Sequence, residues 1–345
     1  MASKVRLFTV LSMVLSLLLL TGAFSNVSAL PPEEADLIEG AKKEGKLVVY
    51  TSMNVNDATV LTQHFKKKYP FIKSELFRSK SEPLLNRISA EAKTGRYIPD
   101  VFTITGQVLH NLKKRGLLMK YISPEMKAYE KGFKDTDGYW TGLFVQINGM
   151  VYNKRLVSPE DAPRNYEDLL DPKWKGKKVG LDLKDYVWFA TMLEMRGEEK
   201  GLAFMEKFAQ QDLYLRENKL LLTLLLTAGE FSISANTYLN TVLKLLEQGA
   251  PIKFVPVEPV IATLHLAAVA AHSPHPSTAK LYLNFLLSKE GQKLIGSFRR
   301  TPCRPGIETA ATRAIKGLKL YPSDPALGDK YSQITKQFRE IFWKR

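Results

Sequence analysis

The chain has 345 residues, of which 45% are hydrophobic and 25% are charged, a composition typical of a folded globular protein of one or two domains. Its net charge of +15 is dispersed, without a basic stripe that alternates with aromatic residues, so we expect no nucleic-acid partner. The single cysteine, Cys303, excludes an internal disulfide, so the core must hold the fold together.

Residues 1–29 are predicted to form a secretory signal peptide. Lys4 and Arg6 precede an apolar run from Leu7 to Phe24, and Val27-Ser28-Ala29 provides the small residues that a signal peptidase accepts. The alternative is an uncleaved anchor helix, because the run is close to the shortest length that spans a bilayer. The small residues and the following Leu30-Pro31-Pro32 favour cleavage, which predicts a periplasmic location for the mature chain.

Strand-like and helix-like segments alternate along the first half of the mature chain. The predicted strands are residues 47–50, 72–77 and 100–102, and the predicted helices are residues 57–69, 81–95 and 107–115. This alternation predicts a parallel sheet flanked by helices, in which ligands bind beyond the carboxyl ends of the strands. The strand ends indicated in this way are Thr51–Asn54, Arg78–Ser81 and Thr103–Gly106. Ser81 is also expected to cap a helix N-terminus, where the helix dipole favours an anion.

A long strand is predicted for residues 140–151, after which the alternation resumes. The predicted strands are residues 179–181, 213–215 and 231–234, and the predicted helices are residues 187–194, 220–226 and 238–248. A further helix is expected to begin at His275-Pro276-Ser277. Two α/β blocks joined by extended strands predict two lobes around a cleft.

Several short segments, taken in their order and spacing, match a known pattern. They are Val48–Ser52, Pro99–Phe102, Gly149–Lys154, Asp168–Lys177, Ala228–Glu230, Lys244–Pro251, His275–Lys280, Leu287–Gln292 and Arg304–Gly306. In these segments the chain resembles the periplasmic substrate-binding proteins of ABC importers. The resemblance is to the branch that includes the iron(III)-, polyamine- and aminoethylphosphonate-binding proteins.

The resemblance implies a two-lobed α/β fold of the periplasmic-binding-protein type (type II). Each lobe would be a mostly parallel sheet flanked by helices, with hinge strands between the lobes. Lobe 1 would comprise residues 30–145 and 262–300, and lobe 2 would comprise residues 146–261 and 301–345. The family also implies a monomer that captures a small-molecule solute between the lobes and delivers it to an ABC permease in the cytoplasmic membrane. A receptor subunit that serves a sensor kinase has the same fold and stays an alternative.

Iron is the first ligand to consider, because the iron-binding branch holds the ferric ion with an adjacent pair of tyrosines, a histidine and an acid. In this sequence the matching segment retains only Tyr238, and Asn54 takes the place of the histidine. No carboxylate follows Phe102 closely. A hard, highly charged cation needs several anionic oxygens. Direct ferric binding is therefore disfavoured, and an anionic ferric chelate stays open.

The other polar residues predicted for the cleft are mostly hydroxyls, amides and bases. Arg78, Lys80 or Arg216 could neutralise a phosphonate, sulfonate or carboxylate. Asp182 or Asp185 could pair with an amine of the same ligand. The ring of Trp188 or Tyr238 could cover an apolar or cationic part of it. The predicted ligand-binding residues are Ser52, Asn54, Ser79, Ser81, Thr105, Asp185, Trp188, Arg216, Asn236 and Tyr238. We expect an anionic or zwitterionic small molecule, with no resident metal ion and no cofactor.

No catalytic motif is recognised in the sequence. The chain has no G-x-S-x-G, no P-loop and no H-E-x-x-H. His272 and His275 have the spacing of half a metal site, but Pro274 and Pro276 place them in an irregular turn. We therefore expect a binding protein and not an enzyme. An exported hydrolase that uses a serine with an unrecognised His/Asp pair is the alternative of another class.

Overall fold

The computed structural model describes residues 32–343, so the predicted signal peptide lies outside the described residues. The strands are β1 (Lys46–Thr51), β2 (Lys73–Arg78), β3 (Val101–Thr105), β4 (Thr141–Asn153), β5 (Val179–Asp182), β6 (Tyr214–Arg216), β7 (Ile233–Tyr238), β8 (Ile252–Val255), β9 (Val260–Val269), β10 (Thr301–Pro302) and β11 (Leu320–Pro322). Among residues 32–343, none of the helices combines the length and the apolar character that crossing a bilayer requires.

The α-helices alternate with these strands along most of the chain. They are α1 (Pro32–Glu44), α2 (Val55–Lys68), α3 (Ser81–Lys93), α4 (Gly106–Lys114), α5 (Tyr186–Arg196), α6 (Glu198–Ala209), α7 (Lys219–Ala228), α8 (Leu239–Glu247), α9 (Pro276–Leu287), α10 (Lys289–Ser297), α11 (Ala310–Ala314) and α12 (Tyr331–Phe342). Short 3₁₀ helices cover Pro124–Ala128, Glu167–Leu170, Pro172–Trp174 and Pro325–Lys330.

The predicted alternation is confirmed, with the ends of elements shifted by up to four residues. Several elements were not predicted, among them α6 and β9. The helix α6 contains Gly201, which lowers helix propensity. That glycine reflects close packing, since a Cβ there would lie 2.8 Å from the Cα of Leu193 on α5. The strand β9 is an apolar run, and such a run does not by itself distinguish a strand from a buried helix.

The sheet joins two parallel blocks through two antiparallel strands. β1 pairs in parallel with β2 and β3, and β5 pairs in parallel with β6 and β7. The strand order is β2-β1-β3-β9-β4-β7-β5-β6. β4 pairs with β9 over Thr141–Ile147 and then with β7 and β8 over Asn148–Asn153. A single strand thus passes from one block to the other, and the side chains near its middle lie between the two blocks.

Two large hydrophobic cores pack against the sheet. The first contains Phe65 and Tyr282, whose ring centroids are 4.9 Å apart, and the second contains Phe208. The C-terminal region contributes to both cores, because Cys303 belongs to the first and Phe338 to the second. A smaller third core lies under α7 and α8. The residue boundaries expected for the two lobes stay a prediction.

Candidate ligand-binding site

A cavity of about 260 Å³ lies beyond the carboxyl ends of β1, β2 and β3. The three strand ends indicated by the sequence meet there, because the strands are parallel neighbours. Side chains from β4, β9 and the segment before β10 complete the wall. The predicted ligand-binding residues that line the cavity are Ser52, Asn54, Ser81, Thr105 and Tyr238.

Three helices begin at this cavity. Asn54 is the N-cap of α2, and its side chain accepts a hydrogen bond from the Asn56 backbone N–H at 2.9 Å. Lys80 and Thr105 are the N-caps of α3 and α4, and neither makes a side-chain cap. Ser81, which was expected to cap α3, is instead its first helical residue. The first-turn N–H groups of α3 and α4 therefore lack a side-chain acceptor, an arrangement that favours an anion.

The charged side chains that line the cavity are basic. They are Arg78, Lys80 and Arg300, and within residues 32–343 no Asp or Glu contributes to the lining. Arg300 is held by Asp57 at the start of α2, since its Nε and Nη2 donate to Asp57 Oδ2 at 3.0 and 2.8 Å. Its Nη1 donates to Gln146 Oε1 at 3.1 Å. The cavity wall thus carries net positive charge and fixes one guanidinium in place.

His265 forms part of the cavity wall and is only 6% exposed. Its ring stacks on that of Phe144, with centroids 4.4 Å apart and planes 10° apart. Burial, and then the nearby Arg300 guanidinium, lower the pKa of His265 to about 3, so the ring is neutral at physiological pH. Its Nε2 and the Oγ of Ser52 are both buried without a hydrogen-bond partner.

Tyr238 joins the cavity to a buried polar cluster in the second half of the sheet. Lys219 Nζ lies 4.0 Å from the centroid of the Tyr238 ring and 2.8 Å from Asp185 Oδ2. Asn236 donates to the same carboxylate. Burial alone would lower the pKa of Lys219, but the combined effect of Asp185, Tyr238 and Asp182 outweighs it, so the pKa is raised and the amine stays charged. Asp185 therefore pairs with both Lys219 and Asn236, and neither Asp185 nor Asn236 lines the cavity.

The other three predicted residues also lie outside the cavity lining. Trp188 is 1% exposed in the second core, where its Nε1 donates to the Tyr166 hydroxyl at 3.3 Å. Arg216 is exposed, and its guanidinium lies 4.5 Å from the centroid of the Tyr214 ring. The backbone N–H of Ser79 continues the β1–β2 pairing by donating to Thr51 at 3.1 Å. The structure does not bring these three side chains together with the five that line the cavity.

Several lining residues were not predicted from the sequence. They are Phe144, Gln146, Thr263, Leu264, His265 and Arg300. They come from β4, β9 and the turn before β10, not from the ends of parallel strands. A sequence signal was nevertheless present, because Gln146 and His265 are polar residues within otherwise apolar strand segments. A buried polar side chain in such a segment requires a partner.

The arrangement offers hydrogen-bond donors and positive charge to a small ligand. Among residues 32–343, no three His, Cys, Asp or Glu side chains are grouped as metal ligands would be. Burial raises the pKa of Tyr238, although the neighbouring Lys219 acts in the opposite direction. A neutral phenol is a poor ligand for a hard metal ion. The geometry therefore suits an anion better than a bare cation.

Comparisons with known proteins agree with this architecture. A relative from Synechocystis sp., named iron uptake protein A1, is 24% identical over 338 residues, which cover 90% of this chain and 91% of the relative. A putative 2-aminoethylphosphonate-binding periplasmic protein from Salmonella typhimurium is 26% identical over 205 residues, which cover 54% of this chain and 60% of the relative.

A solved structure shows the same fold. It is the periplasmic binding protein AfuA from Actinobacillus pleuropneumoniae with exogenous fructose-6-phosphate bound, which superposes with a TM-score of 0.73 at 23% identity over 87% of this chain and 99% of that chain. The two-lobed α/β periplasmic-binding-protein fold predicted from the sequence is thereby confirmed.

The sequence model of the family described as bacterial extracellular solute-binding protein matches residues 97–316, more than half of the chain. Its members are binding proteins, not enzymes, with periplasmic homologues, and they bind small solutes and deliver them to transporters. The resemblance inferred from the sequence is therefore confirmed, and the chain belongs to the bacterial extracellular solute-binding protein family.

Proposed function

We propose that this protein is the periplasmic solute-binding component of an ABC importer and that it captures a small organic phosphate or phosphonate. The proposal includes cleavage of the signal peptide, a monomeric mature chain and delivery of the ligand to a membrane permease, without any chemical conversion. The observation that carries the choice of ligand is the charge of the cavity. Three basic side chains line it, and no Asp or Glu from residues 32–343 does.

The donors around the cavity suit a tetrahedral oxyanion. Arg78 and Lys80 supply charge, the N-termini of α3 and α4 supply N–H groups, and Ser52 and Ser81 supply hydroxyls. Charge-assisted hydrogen bonds of this kind are about twice as strong as neutral ones. A phosphate or phosphonate presents three terminal oxygens to these donors, whereas a carboxylate presents only two.

Capture would depend on residues that connect the two parallel blocks. Gln146 on β4 and Thr263 on β9 lie where the chain passes between the blocks, and Tyr238 contributes from the second block. A ligand that contacts both blocks stabilises the closed form only by its higher affinity for that form. The closed form would then be the one that the permease recognises.

A ferric chelate is the second candidate, because one relative is an iron uptake protein. Bare ferric ion fits the cavity poorly, since among residues 32–343 Tyr238 is the only tyrosine in the lining, and its ring centroid lies 4.0 Å from the Lys219 amine. A ferric chelate that carries net negative charge would meet the same basic wall as a phosphate. The two candidates therefore differ in ligand chemistry and not in the electrostatics they require.

The proposal is tested by titration calorimetry of the refolded, ligand-free protein against propyl phosphate, 2-aminoethylphosphonate, ferric citrate and spermidine. We expect micromolar or tighter binding of a phosphate or phosphonate. The double variant Arg78→Gln/Lys80→Gln should weaken that binding on the order of 100-fold, because two charge-assisted contacts are lost.

The matched control is Lys66→Gln/Lys67→Gln, which removes the same charge from an exposed stretch of α2 outside the cavity lining. This control should bind like the wild type. Binding of spermidine with no response to any of the anions would refute the proposal. Binding of ferric citrate alone would favour the second candidate, and release of inorganic phosphate from a bound ester would contradict the absence of catalysis.

A further inference from the structure

The two antiparallel strands that join the parallel blocks are buried except at one adjacent pair of polar residues. Gln146 is the one residue of β4 that is not buried, and Thr263 is the one residue of β9 that is not buried. The two are direct partners in the β4–β9 pairing, and both line the cavity. The strands that connect the blocks therefore open to the ligand cavity at a single polar point.

Arg300 fixes which end of the Gln146 amide is left for a ligand. A guanidinium has only donors, so the atom of Gln146 that meets Arg300 Nη1 at 3.1 Å must be the carbonyl oxygen Oε1. Asp57 holds the same guanidinium by accepting from its Nε and Nη2 at 3.0 and 2.8 Å. Reversing the amide would set its N–H groups against those of Arg300. The Nε2 of Gln146 is thus a donor of fixed direction.

This Nε2 is accessible and has no acceptor. It donates to no group among residues 32–343, and, unlike the Nε2 of His265, it is not an enclosed atom. The Thr263 hydroxyl beside it accepts from Asn148 Nδ2 at 3.3 Å, which leaves the hydroxyl hydrogen available for a ligand as well. Neutral donors therefore stand next to the Arg300 guanidinium, and an oxygen of the ligand would satisfy them.

The cavity has room for such an oxygen in addition to the anion. Its volume of about 260 Å³ corresponds to roughly nine water molecules at ~30 Å³ each, more than an inorganic phosphate ion fills. The charged donors Arg78 and Lys80 come from the end of β2 and the start of α3, whereas Gln146 comes from the middle of β4. A ligand that meets both parts of the wall carries a body attached to its anionic group.

We propose that Gln146 is a specificity-determining residue whose Nε2 donates a hydrogen bond to an uncharged oxygen in the body of the ligand, such as an ether, hydroxyl or carbonyl oxygen. This inference rests on the proposed function and narrows the ligand to an organic phosphate or phosphonate that carries such an oxygen. An alkyl chain at this point would cover the amide N–H without an acceptor, which is unfavourable. An ammonium group would meet further donors beside a positive charge.

The test compares ligands in which an oxygen replaces one methylene of an otherwise identical chain. Titration calorimetry of the refolded, ligand-free protein gives dissociation constants for two matched pairs. The pairs are butyl phosphate with 2-methoxyethyl phosphate, and pentyl phosphate with 3-methoxypropyl phosphate. We expect at least one ether to bind the wild type about fivefold or more tightly than its alkyl counterpart, because only the ether gives the amide an acceptor.

Gln146→Glu separates this role from a structural one. The glutamate keeps an oxygen for Arg300 and nearly the same shape, but it puts a second oxygen in place of the Nε2 donor. Its negative charge weakens the binding of all four phosphates alike, so the readout is the ratio within each pair. The ether's advantage should disappear. Gln63→Glu, which adds the same charge at an exposed position of α2 outside the cavity lining, is the control and should keep the wild-type ratio.

Gln146→Met, which has no donor and adds no charge, should abolish the advantage in the same way and serves if the glutamate variant fails to fold. Equal binding of the ethers and their alkyl counterparts by the wild type would overturn the inference. So would an advantage that persists in either Gln146 variant. Failure of all four phosphates and of 2-aminoethylphosphonate to bind would instead refute the proposed function.

Discussion

The buried pair of Lys219 and Asp185 allows a structural role to be separated from a ligand-binding one. The two charges are 2.8 Å apart, and their side chains are only 8% and 6% exposed. Asp185→Asn removes one charge while it keeps the shape of the side chain and an acceptor for Asn236. The Lys219 amine is then left buried without its counter-ion.

The expected loss follows from the surroundings of Lys219. Removing one partner of a buried ion pair costs about 3–5 kcal/mol of unfolding free energy. Here the amine also lies 4.0 Å from the centroid of the Tyr238 ring and is attracted by Asp182. These contacts offset part of the loss, so we expect the lower end of that range, about 3 kcal/mol, for Asp185→Asn. Asp185→Asn/Lys219→Met should recover most of it, because no unpaired charge remains.

Urea unfolding followed by circular dichroism measures these differences. The matched control is Glu217→Gln, which breaks the neighbouring pair with Lys184, also a lysine–carboxylate pair at 2.6 Å but with side chains 44% and 51% exposed. An exposed pair contributes little, so the control should unfold like the wild type. If Asp185→Asn keeps wild-type stability but weakens ligand binding, the structural account is wrong and Asp185 contacts the ligand, as the sequence alone predicts.

Two further results are expected from unfolding experiments. The pKa of His265 is lowered to about 3 in the folded protein, whereas it is about 6.5 in the unfolded chain. The folded state is therefore penalised when the pH falls below about 6.5, because the unfolded chain then binds a proton that the folded protein does not. From pH 7.5 to 5 the wild type should lose about 2 kcal/mol more than His265→Phe, and equal losses would contradict this account. Gly149→Ala should lower the free energy of unfolding in urea by about 1–3 kcal/mol. The reason is that a Cβ there would lie 2.5 Å from Phe254 Cζ and 2.8 Å from the Val255 carbonyl oxygen. An unchanged urea midpoint would contradict this prediction.

The part of the cavity that was predictable depends on local signals. Ser52, Asn54, Ser81 and Thr105 follow short β-rich runs and precede helical periodicity. In a parallel sheet such positions meet at one edge whatever the order of the strands. Local sequence patterns therefore suffice to predict that these four residues meet, although the N-cap of α3 is Lys80 and not the predicted Ser81.

The remaining residues of the wall are placed by long-range pairing. His265 faces the cavity because β9 pairs antiparallel with both β3 and β4, a register that sets Thr105 and Phe144 beside it. No local pattern encodes that register. Trp188 was predicted to line the cavity but lies in the second core. Its helix α5 is apolar around most of its circumference, so the sequence does not indicate which face of α5 points to the cavity.

The fold and the ligand are decided by different features of the chain. The fructose-6-phosphate-bound protein shares this architecture, and the relatives of this chain include an iron uptake protein and a putative 2-aminoethylphosphonate-binding protein, so the fold alone does not select the ligand. The selection falls to the charge balance of the wall, where Arg78, Lys80 and Arg300 face no Asp or Glu among the lining residues that the structure describes. A bare trivalent cation would have to overcome that field with one buried phenol, whereas an oxyanion is attracted by it.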